Sequence, residues 1–487
     1  MRRSIIATRL SVVALCIALA MYVNSPLRAN NTGTTGNTGN TGNTGNTGGN
    51  TGNTNTGGAG GNEAGVRIDP QGVLRTVFSD PRVTMQRLMA ARQTMPQHLA
   101  KPSKLRKVSL NRLEAAVAQQ LATGEQPSQE MVALAGLTRL EYVFFYPDSG
   151  DIVIAGPAEG FAQDAVGRLV GIDSAKPCLM LDDLIVALRA YSPAGDKTNT
   201  ISVSIDPTQE GLARMQETLN SFGGKFRGPA DVPFVVNSLR QALGLNEVTI
   251  KGIPAGTHFA HVLTEADYRM KLIGIGLEAT PVPMTNYISK LTAVMTSSNA
   301  LVRWFFVADY DAVAVSEDGF AMKMVGQGVK LVGEDELVSR DGSRSASGRG
   351  MNPASRAFTS EFTKKFPQIS ENSVVYSQLR NLVDMTIAAA YIQDRGFYDQ
   401  AGWELGVFAD EDKLPVVVLP APRQVETAIN AVIKGSRLIT PIGGGVNIQA
   451  RQALQSEHVQ ADTDGKIDAE RAQVKLDGLA AGQWWWD

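Results

Sequence analysis

Apolar positions recur every three to four residues over 84–95, where Met85, Leu88 and Met89 fall on one side. They do so again over 110–121 through Leu113, Ala116, Val117 and Leu121. Residues three and four apart share a helix face, so this period predicts helices. Helical patterning predicts further helices over 128–135, 208–220, 232–243, 256–272, 373–391 and 423–433. Asp206 and Pro207 suit the N-cap and first position of the 208–220 helix. Denser apolar runs predict strands. The run 139–146 carries Val143, Phe144, Phe145 and Tyr146, and Pro147-Asp148-Ser149-Gly150 turns it into a second strand at 151–155. Residues 66–74 read as a short strand and a turn, and 201–205 and 248–250 as strands. A core strand at 301–308 holds Trp304, Phe305 and Phe306. With 312–315, 320–325 and 328–331 it suggests an antiparallel meander. Residues 403–409 and 414–418 read as another strand pair. Helices and strands are grouped rather than strictly alternating. The expected fold class is therefore α+β, with mixed helices and short, largely antiparallel strands, rather than one doubly wound sheet.

The first 65 residues carry a different pattern. Arg2, Arg3 and Arg9 precede an uncharged apolar run from Leu10 to Val23. A positive start and a short apolar run describe a secretory signal peptide over 1–29, cleaved after Ala29. An uncleaved anchor is the alternative. Leu15 before Cys16 is too bulky for a lipoprotein box, so no lipid anchor is expected. Residues 30–65 are an Asn/Thr/Gly-rich linker with a Gly-Asn-Thr triplet repeating from Gly36 to Thr47. With almost no apolar side chains to bury, it is expected to be a disordered tether. The expected division of the remainder is a first α+β domain at 66–230, a second at 231–435, and a polar tail at 436–487. That tail ends in Trp484, Trp485, Trp486 and Asp487. Three indoles either dock on the body or meet a membrane interface, and docking covers more apolar surface.

Composition narrows the function classes. Of 487 residues, 43% are apolar and 19% charged, enough for a sizeable core. The net charge of -2 argues against a nucleic-acid binder, which neutralises phosphates with basic residues. Four histidines leave little room for a His-dominated metal site. Cleavage would remove Cys16 and leave Cys178 alone, so no internal disulfide is expected and Cys178 reads as a buried thiol. The chain lacks Gly-x-x-x-x-Gly-Lys-Ser/Thr, His-Glu-x-x-His, Gly-x-Ser-x-Gly and Cys-x-x-Cys. Gly443-Gly444-Gly445 reads as a flexible loop, and Asp309 and Asp311 as turn carboxylates. Arg340, Arg344, Arg349 and Arg356 read as part of a solvated, Ser/Gly-rich loop or boundary over 339–356. On the 256–272 helix, Phe259, Val262, Leu263, Ala266 and Met270 form a core face. His258, His261, Glu265 and Tyr268 step along another side at helical spacing. Metal ligation by His258, His261 and Glu265 is awkward from one helix, so that side reads as a hydrogen-bonded polar face.

Two stretches carry a resemblance. Glu265-Ala266-Asp267-Tyr268-Arg269-Met270-Lys271-Leu272-Ile273-Gly274-Ile275-Gly276-Leu277-Glu278 resembles a signature stretch of DUF1598, an uncharacterised family of planctomycete exported proteins. Tyr376-Ser377-Gln378-Leu379-Arg380-Asn381-Leu382-Val383-Asp384 resembles a second. The likeness runs across most of 66–420. It implies an exported protein and no reaction or site residue. The expected function is an exported, non-enzymatic binding or structural protein, periplasmic or attached to the cell envelope. A carboxylate-dependent exported hydrolase is the alternative. Catalytic residues are unknown, and no cofactor or metal is expected. The expected partner is an envelope protein or surface polymer, with no nucleic acid. Peripheral membrane contact would run through the C-terminal tryptophans, and a monomer is expected.

Overall fold

Along Ile201–Asp206 buried and half-buried side chains alternate, with Ile201, Val203 and Ile205 inward. That period of two makes a strand with one face on the core. It lies near the middle of a nine-stranded sheet. The strand order is Val66–Ile68 (β1), Val73–Thr76 (β2), Gln424–Glu426, Leu245–Lys251, Ile201–Asp206, Ile442–Ile448, Ala300–Asp309, Gly328–Val338 and Arg344–Ala346. A seven-stranded sheet runs Val459–Ala461, Ala312–Val315, Ala321–Val325, Tyr142–Tyr146, Asp151–Ala158, Ser103–Ser109 and Trp485–Trp486. Most pairings are antiparallel; Ile442–Ile448 runs parallel to Ala300–Asp309. The fold is thus α+β with mostly antiparallel short strands, as expected. The computed structural model describes residues 65–487 apart from 196–199, 223–228, 293–299, 310–311, 348–350, 431–432, 435–436, 439–441, 474–475, 477 and 481. The expected signal peptide, nearly all of the linker, Arg349 and Asp311 lie outside the described residues.

Several helices follow the predicted period, among them Pro81–Thr94, Leu110–Ala122, Val232–Leu243 and His258–Gly274. The Val374–Asp394 helix is buried from Val375 through Ile392. Its aromatic Tyr376 packs among Phe306 and Phe362, joining the sheet to the Pro353–Asn372 helix. One main hydrophobic cluster takes residues from both sheets, from Val66 to Trp484.

Other expectations are corrected. The glycine run is no loop. Gly443, Gly444 and Gly445 lie in a strand between Ile201–Asp206 and Ala300–Asp309. A Cβ on Gly444 would stand 1.8 Å from the Trp304 carbonyl oxygen, so glycine permits the close approach. The predicted 423–433 helix is replaced at its start by the Gln424–Glu426 strand. Val425, Thr427 and Ile429 are buried at every second position, the period of a strand. The 403–409 and 414–418 pair does not form. Glu411 accepts from the Val416 and Val417 amides at 3.0 and 2.8 Å, which keeps those groups out of a ladder. Gly406–Ala409 is instead a short 3-10 turn. The meander divides between sheets: Ala300–Asp309 pairs with Gly328–Val338, and Ala312–Val315 with Ala321–Val325. Asp206 does not cap a helix; Thr208 Oγ1 accepts from the Gly211 amide at 3.0 Å, while Asp206 binds Arg303. Within 339–356, Arg344 lies in an edge strand and pairs with Asp206 and Glu336, and Asn352 caps the Pro353–Asn372 helix.

The boundary expected at 230/231 passes through both sheets, because each draws strands from both sides of it. Gly58–Asp487 forms one compact unit. The tail also belongs to the body: among the described residues it supplies one inner strand and two edge strands to the two large sheets. Trp485 and Trp486 pair with Val108 and Lys107, and Trp484 and Trp486 are buried.

Candidate functional site

The His258–Gly274 helix begins where Thr257 Oγ1 accepts from the Ala260 amide at 3.2 Å. Its expected core face is fully buried: Phe259, Val262, Leu263, Ala266 and Met270. Its polar residues are taken one by one by different elements. His258 Nδ1 donates to Asp183 at 2.8 Å, tying this helix to the first turn of Leu181–Ala190. His261 Nε2 donates to the Pro420 carbonyl at 2.7 Å. Burial pulls the His261 imidazole below its usual range, against the raising effect of that bond. Tyr268 donates to the Glu426 carbonyl at 3.2 Å. His258, His261 and Glu265 therefore do not converge on one point. Among the described residues, no group of three or more His, Cys, Asp or Glu is arranged to hold a metal.

Glu265 is the centre of this arrangement. Its carboxylate accepts from Arg168 Nη2 at 2.7 and 2.9 Å, from Arg269 Nε at 2.8 Å, and from the Gly65 amide at 2.8 Å. Burial alone would push the carboxyl up. The charges of Arg168 and Arg269, with the hydrogen bonds from Gly65 and Arg168, together outweigh burial and hold it below the usual range. Gly65 allows the approach, since a Cβ there would stand 1.8 Å from the Arg168 guanidinium. Arg269 also donates to Glu278 at 2.8 Å and to the Val77 carbonyl at 3.1 Å. Further along the same helix, Lys271 is fully buried. It donates to Asp267 at 2.7 Å and to the Ile205 carbonyl at 2.8 Å. Burial lowers the lysine and raises the aspartate, each against the pull of its partner.

One residue gripped by this strip, Pro420, lines a cavity. Gly65 and Val77 flank the β1–β2 hairpin, and Pro420 and Glu426 bracket the approach to the neighbouring strand. That cavity, of about 620 Å³, is lined by Arg67, Asp69, Gly72, Arg75 and Arg423 with Ile68, Pro70, Pro420 and Ala421. The Arg423 amide donates to the Gly72 carbonyl at 2.9 Å, closing one wall on the other. None of these arginines stood out in the sequence. The turn at Asp69-Pro70 would have placed Arg67 across from Arg75. No local signal brings in Arg423, whose strand joins from the far part of the chain.

Two other cavities hold candidate chemistry. One of about 500 Å³ is lined by Asp399 and Glu404 with Tyr398, Trp403, Gly402, Pro193 and Ala194. A smaller one of about 220 Å³ is lined by Asp309, Lys330, Asn447, Gln449, Gln452 and His458, among others. Asp309 pairs with Lys330 at 3.1 Å. Cys178 is buried, and burial pushes its thiol up, so it is no ready nucleophile.

Fold and site together define an α+β protein with one helix of mutually satisfied charges, bonded through His261 to Pro420 at the edge of an arginine-lined cavity. Residues 203–287 match a protein family described as "Protein of unknown function (DUF1598)". The match contains the 265–278 stretch and the bracing helix; the 376–384 stretch lies outside it. No curated protein and no solved structure matches the chain.

Proposed function

We propose that the chain is an exported, non-enzymatic binding or structural protein of the cell envelope, whose partner is an envelope protein or surface polymer. The arginine-rich start and short apolar run support export. The observation that carries the binding reading is the enclosure of Glu265 by Arg168, Arg269 and the Gly65 amide. The most chemically suggestive carboxylate of this helix thus ties neighbouring elements together instead of presenting an acid or base. Burial of Trp484 and Trp486 weighs against membrane contact through the tail. Fractionation of expressing cells, followed by cross-linking in place, tests the proposal. A chain shortened near Ala29 in the periplasmic or envelope fraction, cross-linked to an envelope protein or polymer, is the expected result. A full-length cytosolic chain overturns it.

A second reading, the carboxylate hydrolase, draws on the cavity shared by Asp399 and Glu404. Two carboxyl groups facing one cleft are the minimum for glycoside hydrolysis. Turnover of a glycoside substrate abolished by both Asp399→Asn and Glu404→Gln would favour that reading.

A further inference from the structure

The β1–β2 hairpin sets Arg67 directly opposite Arg75. Residues opposed in an antiparallel pair project from the same face, and like charges there repel. The strands contain only three and four residues, so little else in the hairpin offsets that repulsion. Arg75 is relieved by Glu426 at 2.6 Å, with Asp69 at 3.8 Å. Arg67 and Arg423 make no ion pair among the described residues. The Arg423 stem lies along Gly72, where an added Cβ would come within 3.1 Å of it. Arg67 and Arg423 line the same cavity, and one acidic residue, Asp69, lines it with them. Ile68, Pro70, Pro420 and Ala421 give the rest of the lining an apolar character.

We infer that this cleft binds a phosphate or sulfate ester, with the oxyanion at Arg67 and Arg423 and the organic carrier against Ile68, Pro70 and Pro420. A guanidinium presents a planar fork of donors that matches an oxyanion, and an anion here also neutralises the opposed arginines. Cavities of roughly 300–1,000 Å³ suit small organic ligands, so the space exceeds what a bare ion needs. The inference rests on the binding reading and names its ligand class.

Calorimetric titration of the purified chain with phenyl phosphate, phenyl sulfate, inorganic phosphate and inorganic sulfate tests it and separates the two esters. Saturable one-site binding of at least one ester is expected, tighter than that of the matching inorganic ion and weakened by added salt. Arg67→Gln and Arg423→Gln should each weaken it by about tenfold or more. The unliganded Arg67→Gln protein should melt no lower than the parent, because the substitution removes a repulsion. Absence of saturable ester binding, or binding indifferent to both substitutions, overturns the inference and leaves the envelope reading standing. Equal affinity for ester and inorganic ion overturns the carrier part. A cytosolic chain that still binds the ester overturns the envelope reading and leaves the site.

Discussion

Glu265 has no exposed side-chain surface, and its two arginine partners are themselves mostly buried. Removing its charge would leave the buried Arg168 guanidinium without its carboxylate and Arg269 with Glu278 alone. The Glu265→Gln protein should therefore lose about 3 kcal/mol at neutral pH, measured by denaturant unfolding. The pH dependence has a definite sign. A carboxyl whose folded value is depressed stabilises the fold above its unfolded value and loses that contribution as pH falls through the folded one. Parent stability should fall as pH drops below the ordinary value of 4.5, and the variant's should fall less over that range. Equal slopes would show that Glu265 is not the group responsible. The polar side of the helix was legible from spacing alone. Its partners were not, because Arg168 and Gly65 lie 97 and 200 residues away in the chain.

Long helices and aromatic strands were the most legible elements, since a sustained period or a dense apolar run survives any tertiary context. Short segments were less so. Gln424–Glu426 has too few residues to display its alternation, and 414–418 was apolar enough for a strand until Glu411 took its amides. The Gly443–Gly445 segment misled for a different reason: glycine signals a loop locally, whereas here it admits a neighbouring backbone. The C-terminal strand gives the prediction for this level. Arg106 is fully buried and bonded to Asp487 at 2.8 Å, and its guanidinium lies 4.4 Å from the Trp485 ring centre. Truncation after Gly482 would strip that strand and strand the Arg106 charge. A loss of about 3 kcal/mol or more is expected in thermal or denaturant unfolding. Unchanged stability with reduced liposome association would instead favour a membrane role.

Both sheets interleave strands from distant parts of the chain, so no cut near residue 230 separates two cores. Differential scanning calorimetry should show one cooperative transition for the body, with calorimetric and van't Hoff enthalpies in agreement. Two resolved transitions would restore the two-domain division. Periodicity revealed which elements exist, but order within a sheet depends on encounters that no local pattern records. The Ile442–Ile448 strand shows what such an encounter means in time. It lies between Ile201–Asp206 and Ala300–Asp309, neighbours that precede it by well over a hundred residues. During synthesis those two strands emerge first and must wait with hydrogen-bonding edges unfilled. Pairings this distant in sequence form slowly, and open edges invite association with other chains. Both strands thus keep one edge unpaired until Ile448 has been made, a delay that gives chaperones a long interval in which to engage the growing chain.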